Sequence, residues 1–152
     1  MSRLYLIDSN VYIRAFREAA FGSALQAFHR VSLPRLVVSA VVAVELLVGA
    51  QKPDRERAVL RTLVEPFRAR RRLITPTWST WALAAKIDQR IRRQSANRTR
   101  LEHRSFMQDI LIAASAREVG ATIITENTTD FTLIGRYVDI AFVPPWPPAS
   151  AH

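Results

Sequence analysis

Four carboxylates sit where their surroundings suggest chemistry. Asp8 directly follows the apolar run "LYLI" (4–7), and Glu45 stands inside "LVVSAVVAVELLVGA" (36–50). Asp109 lies in "SFMQDILIAASAREVG" (105–120) and Asp130 in "TENTTDF" (125–131). An ionised carboxylate in an apolar setting is costly to bury unless something pairs with it or binds it. Several carboxylates brought together would repel one another and raise some pKa values, a conflict that a divalent cation removes. Oxygen-only ligands suit a hard cation such as Mg²⁺, with Mn²⁺ as a substitute. Taken singly, each acid also has an ordinary reading. Asp8 fits a turn or helix cap, Asp109 a surface acid favoured by the dipole of an early helical turn, Asp130 a loop acid, and Glu45 an exposed stripe.

The joint reading depends on the elements that place these residues. "LYLI" reads as a short buried strand, followed after "DSN" by helical "VYIRAFREA". Residues 36–39 read as a second strand and 40–50 as its helix, with Ser39 as N-cap and Gly49 near the end. "PDRERAVLRTLVEPF" opens with Pro53 and Asp54 and carries apolar residues at helical spacing. A brief strand in "RRLITPT", a helix over "STWALAAKIDQRIRRQ" and a helix over "SFMQDILIAASAREVG" stopped by Gly120 come next. "TIIT" and "VDIAFV" are the last strands, and the polar, basic "SANRTRLEHR" reads as an exposed loop. Strands alternating with helices predict an α/β fold around a parallel sheet. Ligands of such sheets bind at the carboxyl ends of the strands. Asp8 and Asp130 then share one sheet edge, and Glu45 and Asp109 reach it from neighbouring helices.

At 152 residues the chain reads as one domain over 1–143 with a Pro-rich tail over 144–152, extended or loose and outside the core. With 49% apolar and 23% charged residues it has the composition of a soluble globular protein. The stretch 36–50 is too short, and carries a charge, for a membrane span. Without cysteine there is no disulfide framework and no thiolate zinc site, which fits a reducing, cytoplasmic setting. The short apolar run before Asp8 is not a signal peptide.

Charge is unevenly spread. Residues 55–104 hold thirteen Arg and Lys86 against four acids, a net of +10 within a chain total of +9. Such a basic half suggests an anionic partner, nucleic acid above all; the ordinary alternative is an Arg-favouring genome with solvated helix faces, and charge alone does not decide between them. A carboxylate-held metal beside a cationic surface points to phosphodiester hydrolysis, in which the metal activates water and no Ser, His or Cys nucleophile is needed. His29 reads as helix packing, and His103 and His152 as surface residues. Arg98, Arg100 and Arg104 flank Asp109 and are candidates for RNA phosphates, whereas Arg70, Arg71 and Arg72 read as a solvated edge. Trp78 and Trp81, three apart on a helix, read as core or dimer-interface packing.

"LIDSNVYI", the mid-helix Glu of "SAVVAVELLVG", "QDILIAASAREVGATIIT" and "TENTTDF", in that order over about residues 4–143, resemble the PIN-domain family, and within it VapC-type toxins. The resemblance implies a three-layer α/β/α sandwich around a parallel sheet of four or five short strands. It implies that Asp8, Glu45, Asp109 and Asp130 form an acidic metal and catalytic site, that Asn10 orients Asp8, and that Thr125 and Asn127 support metal or water. It further implies a Mg²⁺-dependent endoribonuclease toxin, homodimeric, restrained by a VapB-type antitoxin whose tail covers the active-site groove. DNA would be met only through that antitoxin. The chain departs from the family pattern in the long basic stretch before Asp109 and in Glu126, which reads as solvent-facing. Two rivals remain at this point: a catalytically idle PIN-like scaffold binding RNA or protein, and an aspartyl-phosphate phosphatase with Asp8 as nucleophile. The phosphatase lacks a second Asp at position 10 and a suitably placed Lys.

Overall fold

Five parallel strands in the order β3-β2-β1-β4-β5 form a sheet flanked by helices. The computed structural model describes residues 3–94 and 104–147, with only the backbone for Arg104 and Ser105. The strands are β1 (Leu4–Ile7), β2 (Leu36–Ser39), β3 (Leu73–Ile74), β4 (Ala121–Ile124) and β5 (Ala141–Val143). The helices are α1 (Ser9–Arg17), α2 (Ala19–Ser32), α3 (Ala40–Gly49), α4 (Pro53–Val59), α5 (Glu65–Ala69), α6 (Trp78–Arg92), α7 (Arg104–Val119) and α8 (Thr128–Ile134). In-register pairs run from Tyr5↔Leu36 on one side of β1 to Leu6↔Ile123 on the other. A central parallel strand is covered on both faces, so β1, β2 and β4 are continuous apolar runs rather than alternating ones. Every residue of β2 and β4 is buried.

The helices obey local signals. Ser39 caps α3, its hydroxyl accepting from the Val41 and Val42 amides at 3.1 and 3.5 Å. Thr77 and Thr80 form a reciprocal capping box at the start of α6. Gly120, at φ +68°, ends α7 in the left-handed conformation that glycine tolerates. α1 and α2 meet closely, because a Cβ on Gly22 would stand 2.7 Å from the Ala15 carbonyl oxygen. The amphipathic stretch 53–69 is not one regular helix. A π-helical turn over Leu60–Val64 separates α4 from α5, just before Pro66. Proline brings no N–H, and its ring presses on the carbonyl four residues back, which the wider turn relieves.

α7 is buried nearly all round, with Phe106, Ile110, Ile112, Ala113, Ala114 and Ala116 each at most 1% exposed. It packs against α3, α6, α8 and β4 and is the spine of one layer. Three expectations need correcting. Trp78 and Trp81 are 82% and 46% exposed, which removes the core half of the core-or-interface expectation and leaves the interface half untouched. The last strand covers three residues, not six, because Tyr137 and its neighbours complete a turn after α8. The tail is not wholly outside the packing, because Trp146 lies on Phe21 and Phe28 of α2 with ring centroids 5.4 and 5.3 Å apart. His29 packs edge-on against Phe67, and burial lowers its pKa. Arg70 and Arg71 are exposed, whereas Arg72 is half-buried and donates to the Leu33 carbonyl at 2.9 Å. Among the described residues, no helix is long and apolar enough to cross a membrane.

Candidate active site

Asp8 ends β1, and its amide extends the β1–β4 ladder by donating to the Ile124 carbonyl at 2.9 Å. Its side chain is 2% exposed and fully engaged. Oδ1 accepts from the Ser9 amide at 2.8 Å, and Oδ2 accepts from Thr125 Oγ1 at 2.8 Å and Asn10 Nδ2 at 3.1 Å. Asp8 is therefore the N-cap of α1, the ordinary reading for this residue, and at the same time faces the sheet edge. Burial raises its pKa, against the lowering effect of the bonds from Thr125, Ser9 and Asn10.

Thr125 follows β4 and is fully buried. Besides donating to Asp8, its hydroxyl oxygen accepts from Asn10 Nδ2 at 3.2 Å and from the Asn127 amide at 2.9 Å. Asn10 Oδ1 accepts from the Glu126 amide at 3.2 Å, which ties α1 to the turn after β4. Glu126 itself is exposed and ion-paired with Arg14, in keeping with a solvent-facing role. Asn127 links two acids, for its Nδ2 donates to Asp109 Oδ2 at 3.1 Å and to Asp130 Oδ2 at 2.9 Å. It also caps α8, with Oδ1 accepting from the Asp130 amide at 3.4 Å.

Asp109 lies in the second turn of α7 and is 8% exposed, so it is not a surface acid. Its pKa is pushed up to about 8, first by burial and then by the negative charges of Asp8, Asp130 and Glu45. Hydrogen bonds link the acids in two pairs, Asp8 with Glu45 through Ser9 and Asp109 with Asp130 through Asn127. Glu45, midway along α3, has its pKa raised by burial and by Asp8, opposed by a hydrogen bond from Ser9. Ser9 Oγ donates to Glu45 Oε2 at 2.8 Å. The other oxygen, Oε1, is buried and has no hydrogen-bond partner among the described residues.

Ser9 is the site residue that motif reasoning passed over. Its position as first residue of α1, directly after Asp8, was the available signal, because a side chain there emerges at the same sheet edge. Arg98 and Arg100 lie outside the described residues, and Arg104 begins α7 with no described side chain.

The fit to a divalent cation is one of chemistry. Asp8, Glu45 and Asp109 have pKa values raised toward the neutral form, and one buried oxygen of Glu45 has no partner among the described residues. Hard oxygen donors of this kind suit Mg²⁺ or Mn²⁺. Their positions are less ready, because among the described residues no three acid or histidine side chains are grouped closely enough to hold a metal ion. Ser9 and Asn127 stand between pairs of carboxylates as hydrogen-bond donors, and a shared cation would draw the acids together around them.

A family model described as the PIN domain matches residues 5–136. Among solved structures, the chain is similar to a DNA-bound VapBC from Salmonella typhimurium, with 19% identity and TM-score 0.66 over 94% of this chain and 98% of that one. It is likewise similar to FitAcB from Neisseria gonorrhoeae, at 22% identity and TM-score 0.65 over 94% and 99% of the two chains. VapBC-1 from nontypeable Haemophilus influenzae gives 22% identity and TM-score 0.61 over 93% and 97%. At such identities the likeness is one of fold. No curated protein sequence matches the chain.

Proposed function

This chain belongs to the PIN-domain family, and from that premise we propose that it is a metal-dependent endoribonuclease, the toxin of a toxin–antitoxin pair. The observation that carries the reading is Glu45 Oε1, a buried carboxylate oxygen without a partner among the described residues, on a side chain that Ser9 links to Asp8. Leaving a buried charged acceptor unsatisfied costs several kcal/mol by general experience, on the order of 1–3 or more. A protein keeps such an atom where a ligand completes it.

Asp8, Glu45, Asp109 and Asp130 would hold Mg²⁺, with Mn²⁺ as a substitute. Bound there, the cation would lower the pKa of a water and neutralise charge on the scissile phosphate. The chain's own residues set the geometry. Ser9 fixes one oxygen of Glu45 and leaves the other free to ligate. Thr125 and Asn10 hold Asp8 by the same oxygen. Asn127, with one N–H for each acid, keeps Asp109 and Asp130 beside each other against their repulsion. A cation favours the charged carboxylates, so binding would release the protons that burial and crowding retain.

The partner reading follows the solved neighbours, which are VapBC and FitAB complexes, several bound to DNA. That likeness supports an antitoxin partner; on this reading the chain works as a homodimer in the cytoplasm, held in check by a VapB-type antitoxin that carries the DNA contact. The catalytically idle scaffold draws its support from the scattered arrangement of the four acids.

Cleavage of structured RNA by the purified chain separates the two. With Mg²⁺ or Mn²⁺ the wild type should cut, with chelator it should not, and Asp8→Asn and Glu45→Gln should each lose at least about 100-fold while keeping the wild-type circular dichroism. Cleavage retained by Glu45→Gln would remove the metal-site reading. RNA binding with no cleavage under either cation would leave the scaffold.

A further inference from the structure

Glu45 has a second environment besides the other acids. It is among the residues lining an open groove of about 370 Å³ bounded by α1, α3 and α4. The floor is apolar, from Ile13, Leu46 and Val59. Phe16 stands over it at 64% exposure, a large aromatic face given to solvent. Arg17, in the last turn of α1, and Arg55, near the start of α4, line the same groove.

The two arginines differ from others nearby. Arg14 is paired with Glu18 and Glu126, and Arg57 with Asp54. The side chains of Arg17 and Arg55 have no hydrogen-bond or ion-pair partner among the described residues. A groove that joins an apolar floor, an exposed aromatic face and two uncommitted guanidinium groups is complementary to a base with phosphates on either side. Its volume lies in the range of small-molecule sites, about 300–1,000 Å³. A purely apolar protein segment would use the floor and the ring but give the two cations nothing.

Resting on the ribonuclease reading, we propose that this groove is a nucleotide subsite for single-stranded RNA. It receives the base next to the cleaved phosphate against Phe16 and Ile13 and the flanking phosphates on Arg17 and Arg55. Because Glu45 belongs to both the groove and the acidic cluster, a base seated there sets which phosphate reaches the carboxylates. The groove thus selects unpaired RNA, since a base within a duplex cannot enter it.

The test is binding of a fluorescein-labelled 12-nucleotide single-stranded RNA of mixed sequence to the full chain in chelator, where cleavage is off. Arg17→Ala/Arg55→Ala should weaken binding about 10-fold. It should also reduce the slope of log K against log salt by about 1.4, the value for two phosphate contacts on a single strand. Arg57→Ala/Arg61→Ala removes two cations from the same stretch outside the groove and should change affinity less than about 3-fold. Phe16→Ser should weaken binding about 5–10-fold, while Phe16→Trp should preserve it, with the new indole quenched as RNA binds. Equal losses for the two arginine pairs would reduce the effect to diffuse charge and overturn the subsite. An unquenched indole, or wild-type affinity in Arg17→Ala/Arg55→Ala, would overturn it too and leave the groove to a protein segment. Metal-dependent cleavage by the wild type, measured separately, decides the nuclease reading whichever way the groove result falls.

Discussion

Burial and like charge act in one direction on Asp109. Its folded pKa, near 8, stands above the ordinary value of 3.8. Between about pH 4 and pH 8 the folded chain holds a proton that the unfolded chain has released, so the native state binds more protons and stability falls as pH rises through that window. Above pH 8 the full penalty of a buried, crowded charge is present. Asp109→Asn removes it without removing the hydrogen-bonding shape. In chelator at pH 8.5 the variant should therefore melt above the wild type, by on the order of 2 kcal/mol or roughly 4–8 °C, with the difference vanishing near pH 4. Thermal melts from pH 4 to 9 measure this, and a variant melting below the wild type at pH 8.5 would contradict it. The same substitution should abolish metal-dependent cleavage, so one residue trades stability for activity in opposite directions. Adding Mn²⁺ should restore the wild type's lost stability at high pH and leave Asp109→Asn nearly unmoved, because only the wild type has the charge that a cation neutralises.

The elements carry those residues to one edge, and they differ in how openly the sequence announces them. β1, β2 and β4 are short buried runs with one reading, because a strand covered on both faces has no polar alternation to confuse it. The end of β1 therefore fixes Asp8, and the start of α3 at Ser39 fixes the turn on which Glu45 stands. Ser39 is fully buried and its hydroxyl serves two amides, so Ser39→Ala should cost about 1–2 kcal/mol in urea unfolding. Cleavage at fixed Mg²⁺ should fall as well, through a looser Glu45, and a variant with unchanged unfolding free energy would deny the cap its role. Other features depend on tertiary partners that no local pattern contains. Asn127 bridges Asp109 and Asp130 from a loop, and only the packing of α7 against α8 puts the three together. Ser9 is a common residue whose function appears only when α3 brings Glu45 beside it. The exposure of Trp78 was hidden for a related reason, because an aromatic pair at helical spacing looks the same whether the helix turns it inward or outward.

Across the whole molecule the acidic cluster and the basic half divide the work between chemistry and capture. The cationic side chains extend over α4, α5 and α6 and include exposed Arg55, Arg68, Arg70 and Arg71, while the two buried carboxylates, Asp8 and Asp109, lie away from them. A field of that kind draws an anionic polymer toward the surface and weakens as salt screens it. Asp8 and Asp109 are buried, largely out of reach of bulk ions. Salt should therefore act on substrate binding and leave the chemical step alone. Between about 50 and 200 mM salt, KM for a single-stranded RNA should rise about 20–50-fold, the expectation for three or four phosphate contacts, while kcat changes less than twofold. Steady-state cleavage at saturating Mg²⁺ across that salt range separates the two parameters. A fall in kcat with constant KM would place the salt-sensitive charges at the reacting phosphate, and the division between a capturing surface and a cutting edge would be lost.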